Sequence, residues 1–224
     1  DVGPGGGSYE LRQYTKLQLL NPDDRTIKTM AKSTHLGGLH KTLTLLPTGE
    51  PMIMGGDRSS MVQVGDRTFV PGDPDLGVSV AQTFSPPYLF ADAAGTLQTR
   101  PIILGAPDQV RYRQVLALRT PLGTNIKTVS MFRTGSVTHE LHNDYRLVVL
   151  NFQQNGSDVI VDMPYRPAQA IAGDYMLFFV DENGTPSMSK HIRLMLDSTP
   201  PEVPSITPPE ASPRVARFSG LVRR

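Results

Sequence analysis

The side chains best suited to chemistry in this 224-residue sequence are five imidazoles, His35, His40, His139, His142 and His191, in a chain with no cysteine. Imidazole suits copper or zinc, and either ion wants three or four donors held in place by carbonyls or carboxylates behind them. His139 and His142 stand three apart within Gly135-Ser-Val-Thr-His-Glu-Leu-His-Asn-Asp144, but such a pair on a loop has no fixed geometry. His35 and His191 read as ordinary surface or turn residues. Asp57, Asp66, Asp73 and Asp75 could offer hard oxygen ligands to calcium. Neither an EF-hand nor a Gly-Asp nonapeptide repeat frames them, so solvated turn acids are the favoured reading. The sequence holds no nucleophile elbow, phosphate loop, H-E-x-x-H or dinucleotide fingerprint.

The elements that must position these groups read as strands. Twenty glycines and twenty prolines with 38% hydrophobic residues favour turns over helices and predict an all-β chain in one or two domains. Residues 1–8 form a Gly-rich lead, and Tyr9 to Leu20 reads as a strand or bent pair with Leu11, Leu17, Leu19 and Leu20 as buried candidates. Leu43–Leu46 and Pro51–Met54 predict a hairpin around Pro47-Thr48-Gly49, where Pro fixes φ and Gly accepts positive φ. Met61 to Gly77, with its Gly-Asp pairs, reads as a loop-rich insertion. A boundary near Arg100 separates this 9–99 segment from a run of strand-length segments over 100–198. These are Val110–Leu118, Thr128–Phe132, Tyr145–Phe152, Ser157–Met163, Gly173–Val180 and His191–Leu196. Repeated short strands with turn signals predict an immunoglobulin-like sandwich. The 199–224 tail repeats Thr-Pro-Pro-Glu at 199 and 207 and reads as a polyproline spacer, or as a ligand for an aromatic groove on another protein.

Composition removes several function classes. A formal charge of +1, with basic residues not interleaved with aromatics, argues against nucleic acid. No apolar run reaches the roughly 18 residues of a membrane-spanning helix. Asn155-Gly-Ser and Asn183-Gly-Thr are glycosylation triplets at Gly-containing turns, which mildly favours a secreted or cell-surface protein, although Asn-Gly is independently a strong hairpin signal and turn chemistry is the favoured reason for either one alone. The terminal Arg223-Arg224 pair reads either as a processing site or as the limit of the sequence at hand.

Several ordered motifs resemble the end of the galactose oxidase and glyoxal oxidase family of copper-radical oxidases. The first is Leu39-His-Lys-Thr-Leu-Thr-Leu-Leu-Pro-Thr-Gly-Glu-Pro-Met-Ile-Met-Gly-Gly-Asp57, followed by Phe84-Ser-Pro-Pro-Tyr-Leu-Phe90 and Thr99-Arg-Pro101. The others are the Thr138-His139 loop, Gly173-Asp-Tyr-Met-Leu-Phe-Phe-Val180 and Pro186-Ser-Met-Ser189. The resemblance implies a partial kelch-type β-propeller blade followed by an immunoglobulin-like early-set sandwich, with His40 and His139 as equatorial copper ligands. Where the family has a tyrosine, axial ligand and base for the substrate hydroxyl, this sequence has Leu39. Leucine neither ligates nor takes a proton. The family's radical pair, a tyrosine crosslinked to a cysteine, belongs to propeller blades upstream of anything here.

One blade leaves an apolar face that only neighbouring blades cover. The expectation is therefore a protein partner, or an upstream segment, that completes the propeller. Two functions remain open. The first is a non-catalytic module, structural or interacting, in a secreted or cell-surface assembly. The alternative is a C-terminal fragment or subunit of an active oxidase converting primary alcohols or aldehydes and O2 to oxidised product and H2O2.

Overall fold

A computed structural model describes residues 16–22, 24–32, 41–55, 62–64, 67–69, 81–138 and 141–196. These residues form strands and connections, with one 3-10 turn at Pro87–Leu89. The all-β expectation holds, in a blade segment followed by an immunoglobulin-like sandwich.

Strands β1 (Lys16–Leu20) and β2 (Ile27–Lys32) pair as an antiparallel hairpin. Of its apolar residues, Leu19 and Leu20 are exposed, contrary to the expectation that they are core. β2 itself was not anticipated between the first strand and His40. The blade segment is an antiparallel sheet in the order β3-β4-β7, built from β3 (Lys41–Leu45), β4 (Pro51–Gly55) and β7 (Gln82–Thr83). The β3–β4 turn is the one expected, and Gly49 takes φ +77° there, a conformation open to glycine at little cost. Within the stretch expected to be loop, β5 (Val62–Val64) and β6 (Arg67–Phe69) pair as a short hairpin.

The sandwich has two sheets. The larger has the order β13-β10-β16-β17-β8, from β8 (Gln109–Arg111), β10 (Ile126–Arg133), β13 (Leu147–Leu150), β16 (Gly173–Asp181) and β17 (Lys190–Met195). The smaller has the order β14-β15-β9, from β9 (Val115–Arg119), β14 (Phe152–Asn155) and β15 (Asp158–Asp162). β9 and β15 alternate exposed and buried residues, as a sheet with one face in water should. Leu116, Leu118, Val159 and Val161 meet Val129, Met131, Tyr175, Leu177, Phe179, Ile192 and Leu194 of the larger sheet in one core.

β16 does not alternate: Tyr175 to Phe179 are all buried. Tyr175, Leu177 and Phe179 face the sandwich core, while Met176 and Phe178 belong to the opposite face and lie outside that core cluster. Register places Phe132 of β10 and Leu147 of β13 beside Met176, and Ser130 and Val149 beside Phe178. Thr44, Leu45 and Pro47 of the blade line one cleft with Phe132 and Met176. The larger sheet is thus covered by the smaller sheet on one face, while the blade segment meets part of the other, around Phe132 and Met176, and leaves Leu147 and Val149 exposed.

Three tyrosine hydroxyls donate to backbone carbonyls: Tyr112 to Ala170 at 2.7 Å, Tyr175 to Ile171 at 2.6 Å, and Tyr88 to Gly49. Loss of solvent raises the pKa of all three above the usual phenol value. A raised folded-state pKa contributes stability that is complete below the unfolded value, about 10, and is lost as pH rises through the folded value. Denaturant unfolding should therefore show stability falling above about pH 10. The fall should be shallower in Tyr112→Phe, where one of the titrating hydroxyls is gone; an equal fall in both proteins would refute this cause.

Candidate functional site

The site begins where β10 ends. After Arg133 the chain runs through Thr134 and Gly135 into a small hairpin of β11 (Ser136–Thr138) and β12 (Leu141–Asn143). Its pairs are Ser136↔Asn143, Val137↔His142 and Thr138↔Leu141. Residues 139 and 140 connect the two strands, and His139 itself lies outside the described residues, as do Leu39, His40, His35 and the four acids weighed for calcium. What the structure does show is the pair of elements that flank the histidines. β3 starts at Lys41, next to His40, and β11 ends at Thr138, next to His139; these two strands are in contact.

Tyr145 joins them. Its hydroxyl shares a 2.7 Å hydrogen bond with Thr44 Oγ1 on β3. Its ring stacks on His142 with centroids 4.6 Å apart and meets the Phe132 ring edge-on at 5.2 Å. Gly135 makes room, because a Cβ there would overlap the Asn143 carbonyl oxygen and stand 2.5 Å from Tyr145 Cδ1. Asp144 turns the chain back with φ +67° and pairs with Arg133 at 3.3 Å. The resulting cleft, about 250 Å³, is also lined by Thr134, Ser189 and His191.

A second joint fixes the blade to the sandwich. Arg100 Nε donates to the Pro186 carbonyl at 2.7 Å, and its Nη2 donates to the carbonyls of Thr48 at 2.6 Å and Ser187 at 2.8 Å. The Ser189 amide donates to the Pro47 carbonyl at 2.9 Å. Beside these, Ser85 donates to Glu50 Oε1 at 2.6 Å. Desolvation lowers the Arg100 pKa from its usual value, opposed by Glu50, and the group keeps its charge in any ordinary buffer.

Sequence reasoning named Arg100 only as part of a motif and missed Tyr145 and Thr44. Their partners are about a hundred residues apart in the chain, so spacing carries no trace of them. Asn155 and Asn183, the glycosylation candidates, are both exposed. Each stands before a positive-φ glycine, Gly156 at +58° and Gly184 at +82°, so the turns account for the Asn-Gly pairs whether or not either asparagine carries a glycan.

Comparison with known proteins identifies one segment of the chain. Residues 100–194 match the domain family described as galactose oxidase-like, early set. That segment is a galactose oxidase-like early set domain. Galactose oxidase of Gibberella zeae is 29% identical over 157 residues, which are 69% of this chain and 21% of that protein. Aldehyde oxidase GLOX of Vitis pseudoreticulata is 30% identical over 169 residues, 70% of this chain and 29% of that protein. A solved fungal alcohol oxidase, described as showing catalytic diversity among the AA5 family and in complex with copper, superposes with a TM-score of 0.67 at 26% identity. It covers 81% of this chain, and this chain covers 36% of it. The early set domain and the blade segment before it therefore correspond to a minor part of each relative.

Copper is held in that solved relative, and this chain's donors can be tested against it. The resemblance assigns two imidazoles, His40 and His139, with Leu39 where the tyrosine would be. Two donors fall short of the three or four that copper wants. Among the described residues, no group of three His, Cys, Asp or Glu side chains could hold a metal ion. The assigned donors of this chain do not by themselves amount to a copper centre.

Proposed function

We propose that this chain is a non-catalytic C-terminal module of a galactose/glyoxal-oxidase-like protein, serving as a structural or interaction part of a secreted or cell-surface assembly. What carries the reading is the contrast between a preserved scaffold and an incomplete donor set. The blade remains fastened to the early set domain through Arg100 and Tyr145. The position that would supply an axial ligand and a base is Leu39. Among the described residues the blade sheet has three strands, and Leu43 on it is exposed; further propeller, on a partner polypeptide or another segment, would cover it. Exposed Asn155 and Asn183 support passage through the secretory route. No helix among the described residues is long and apolar enough to cross a membrane.

The test is elemental mass spectrometry of the native particle containing this chain, with every co-purifying polypeptide identified from the same sample. The reading expects no stoichiometric copper and a partner carrying propeller sequence or structural glycoprotein. Near-stoichiometric copper with peroxide production from primary alcohols or aldehydes would sink it.

One observation favours the second reading, a part of an active copper-radical oxidase: β11, which leads into His139, touches β3, which starts beside His40. Under that reading His40 and His139 bind copper, and a group from elsewhere replaces the missing tyrosine. His139→Ala leaving copper content and peroxide unchanged would remove it.

A further inference from the structure

A groove of about 370 Å³ lies where the loop after β15 meets the β8–β9 turn and the end of β13. It shares no lining residue with the blade-facing cleft. Its polar wall consists of Arg113, Gln114, Asn151, Asp162 and Gln169, all exposed, and Tyr165 supplies an aromatic ring that is also exposed. Two features show that this wall is held in place.

First, the backbone is tied across the groove. The Arg113 amide donates to the Pro164 carbonyl at 3.0 Å and the Met163 amide to the Gln114 carbonyl at 2.9 Å. Arg113 sits at φ +64°, a left-handed conformation that costs a non-glycine residue about 1 kcal/mol or more. That conformation accompanies a guanidinium lying over the Tyr165 ring, 4.2 Å from its centroid.

Second, both glutamines spend their carbonyl ends on backbone amides. Gln114 Oε1 accepts from Arg111 at 2.9 Å. Gln169 Oε1 accepts from Tyr165 at 2.7 Å and from Arg166 at 3.2 Å. Each glutamine keeps an NH2 group with two donors, and its orientation is fixed by the bond at the other end.

We infer that this groove binds a neutral oligosaccharide. Fixed amide and guanidinium donors share the groove with the Asp162 carboxylate and the Asn151 amide, a mixture that matches hydroxyls, which both give and accept hydrogen bonds. The Asp162 carboxylate offsets the charge of Arg113 in the same groove, so the lining favours no net charge on its occupant. Arg113 occupies one face of the half-exposed Tyr165 ring, and the ring's other face is apolar surface of the kind that receives the C–H face of a pyranose. Groups held in their bound geometry lose little freedom on binding, which is the condition for a shallow polar site to work.

Isothermal titration calorimetry of the full chain with cellotetraose, xylotetraose and a galactotetraose tests this, with trigalacturonate and an extended uncharged hexapeptide as comparators. Saturable binding of at least one neutral tetrasaccharide is expected, weakened about tenfold or more by Tyr165→Ala and by Asp162→Asn. Asp162 ends its strand exposed, so its variant leaves the fold intact and decides the matter if Tyr165→Ala does not fold. The inference is overturned by absence of binding up to about 10 mM, by affinity unchanged in both variants, or by binding of trigalacturonate or the peptide alone.

Discussion

Replacing Arg100 by Met should loosen the blade from the early set domain while the sandwich itself stays folded. The guanidinium satisfies three carbonyls belonging to two segments, Thr48 in the blade turn and Pro186 and Ser187 beyond β16. Hydrogen bonds from a charged donor contribute about 1.5–3 kcal/mol each, and a carbonyl left without a partner adds a penalty of its own. Arg100 is partly exposed, so water recovers some of this, and the expected loss is about 3 kcal/mol. Hydrogen exchange locates it: amides of Lys41–Leu45 and Pro51–Gly55 should exchange faster, while those of β10 and β16 keep their protection. Lysine at this position should restore only part of the effect, since one ammonium cannot reproduce the geometry of a planar fork. Uniform exchange throughout the chain would mean that Arg100 supports the whole fold and is no joint.

Gly135→Ala should move the β11–β12 hairpin. The new methyl would overlap the Asn143 carbonyl and press on the Tyr145 ring. A backbone oxygen cannot rotate aside as a flexible side chain can. Overpacking of this kind costs about 1–3 kcal/mol, and the upper end is expected here because the Tyr145 contacts to Thr44, His142 and Phe132 depend on the same approach. The readouts are the ring-shifted proton resonances of His142 and Phe132 and the midpoint of denaturant unfolding. Gly105→Ala is the control, with open space around the added carbon and an expected change within about 0.5 kcal/mol. Equal effects at the two positions would refute the steric account.

Much of the sandwich was legible, and its misreadings share one cause. The runs Thr128–Phe132, Ser157–Met163, Gly173–Val180 and His191–Leu196 correspond to β10, β15, β16 and β17 within a few residues. Val110–Leu118 and Tyr145–Phe152 each looked like a single strand and are in fact two. In the first, β8 and β9 belong to opposite sheets, and the chain turns at Arg113 with positive φ. In the second, β13 and β14 divide at Asn151, and the chain again changes sheet. Alternation of apolar residues persists through such a corner because both sheets face the same core, so periodicity does not report the crossing. The hairpin at β3–β4 was readable because Pro47 and Gly49 prescribe its turn. Leu19 and Leu20 were misjudged because two strands have no second layer to bury them among the described residues. His40 and His139 lie outside the described residues, and the supports of the candidate site were opaque in the sequence, since Tyr145, Thr44 and Gly135 meet only once the chain is folded.

The unbroken burial along β16 also bears on how this polypeptide survives its own synthesis. Tyr-Met-Leu-Phe-Phe-Val carries no charge and no proline, the composition of a segment prone to cross-β association. One of its faces packs in the core against the smaller sheet, and the other meets the blade at Met176. A sandwich made alone, residues 100–194, would lose the blade residues Thr44, Leu45 and Pro47 beside Met176, on a face where Leu147 and Val149 are exposed already. If the blade segment shields this strand as the chain folds, it would serve the rest of the chain as an intramolecular chaperone, and residues 100–194 made alone should aggregate more readily than the longer chain.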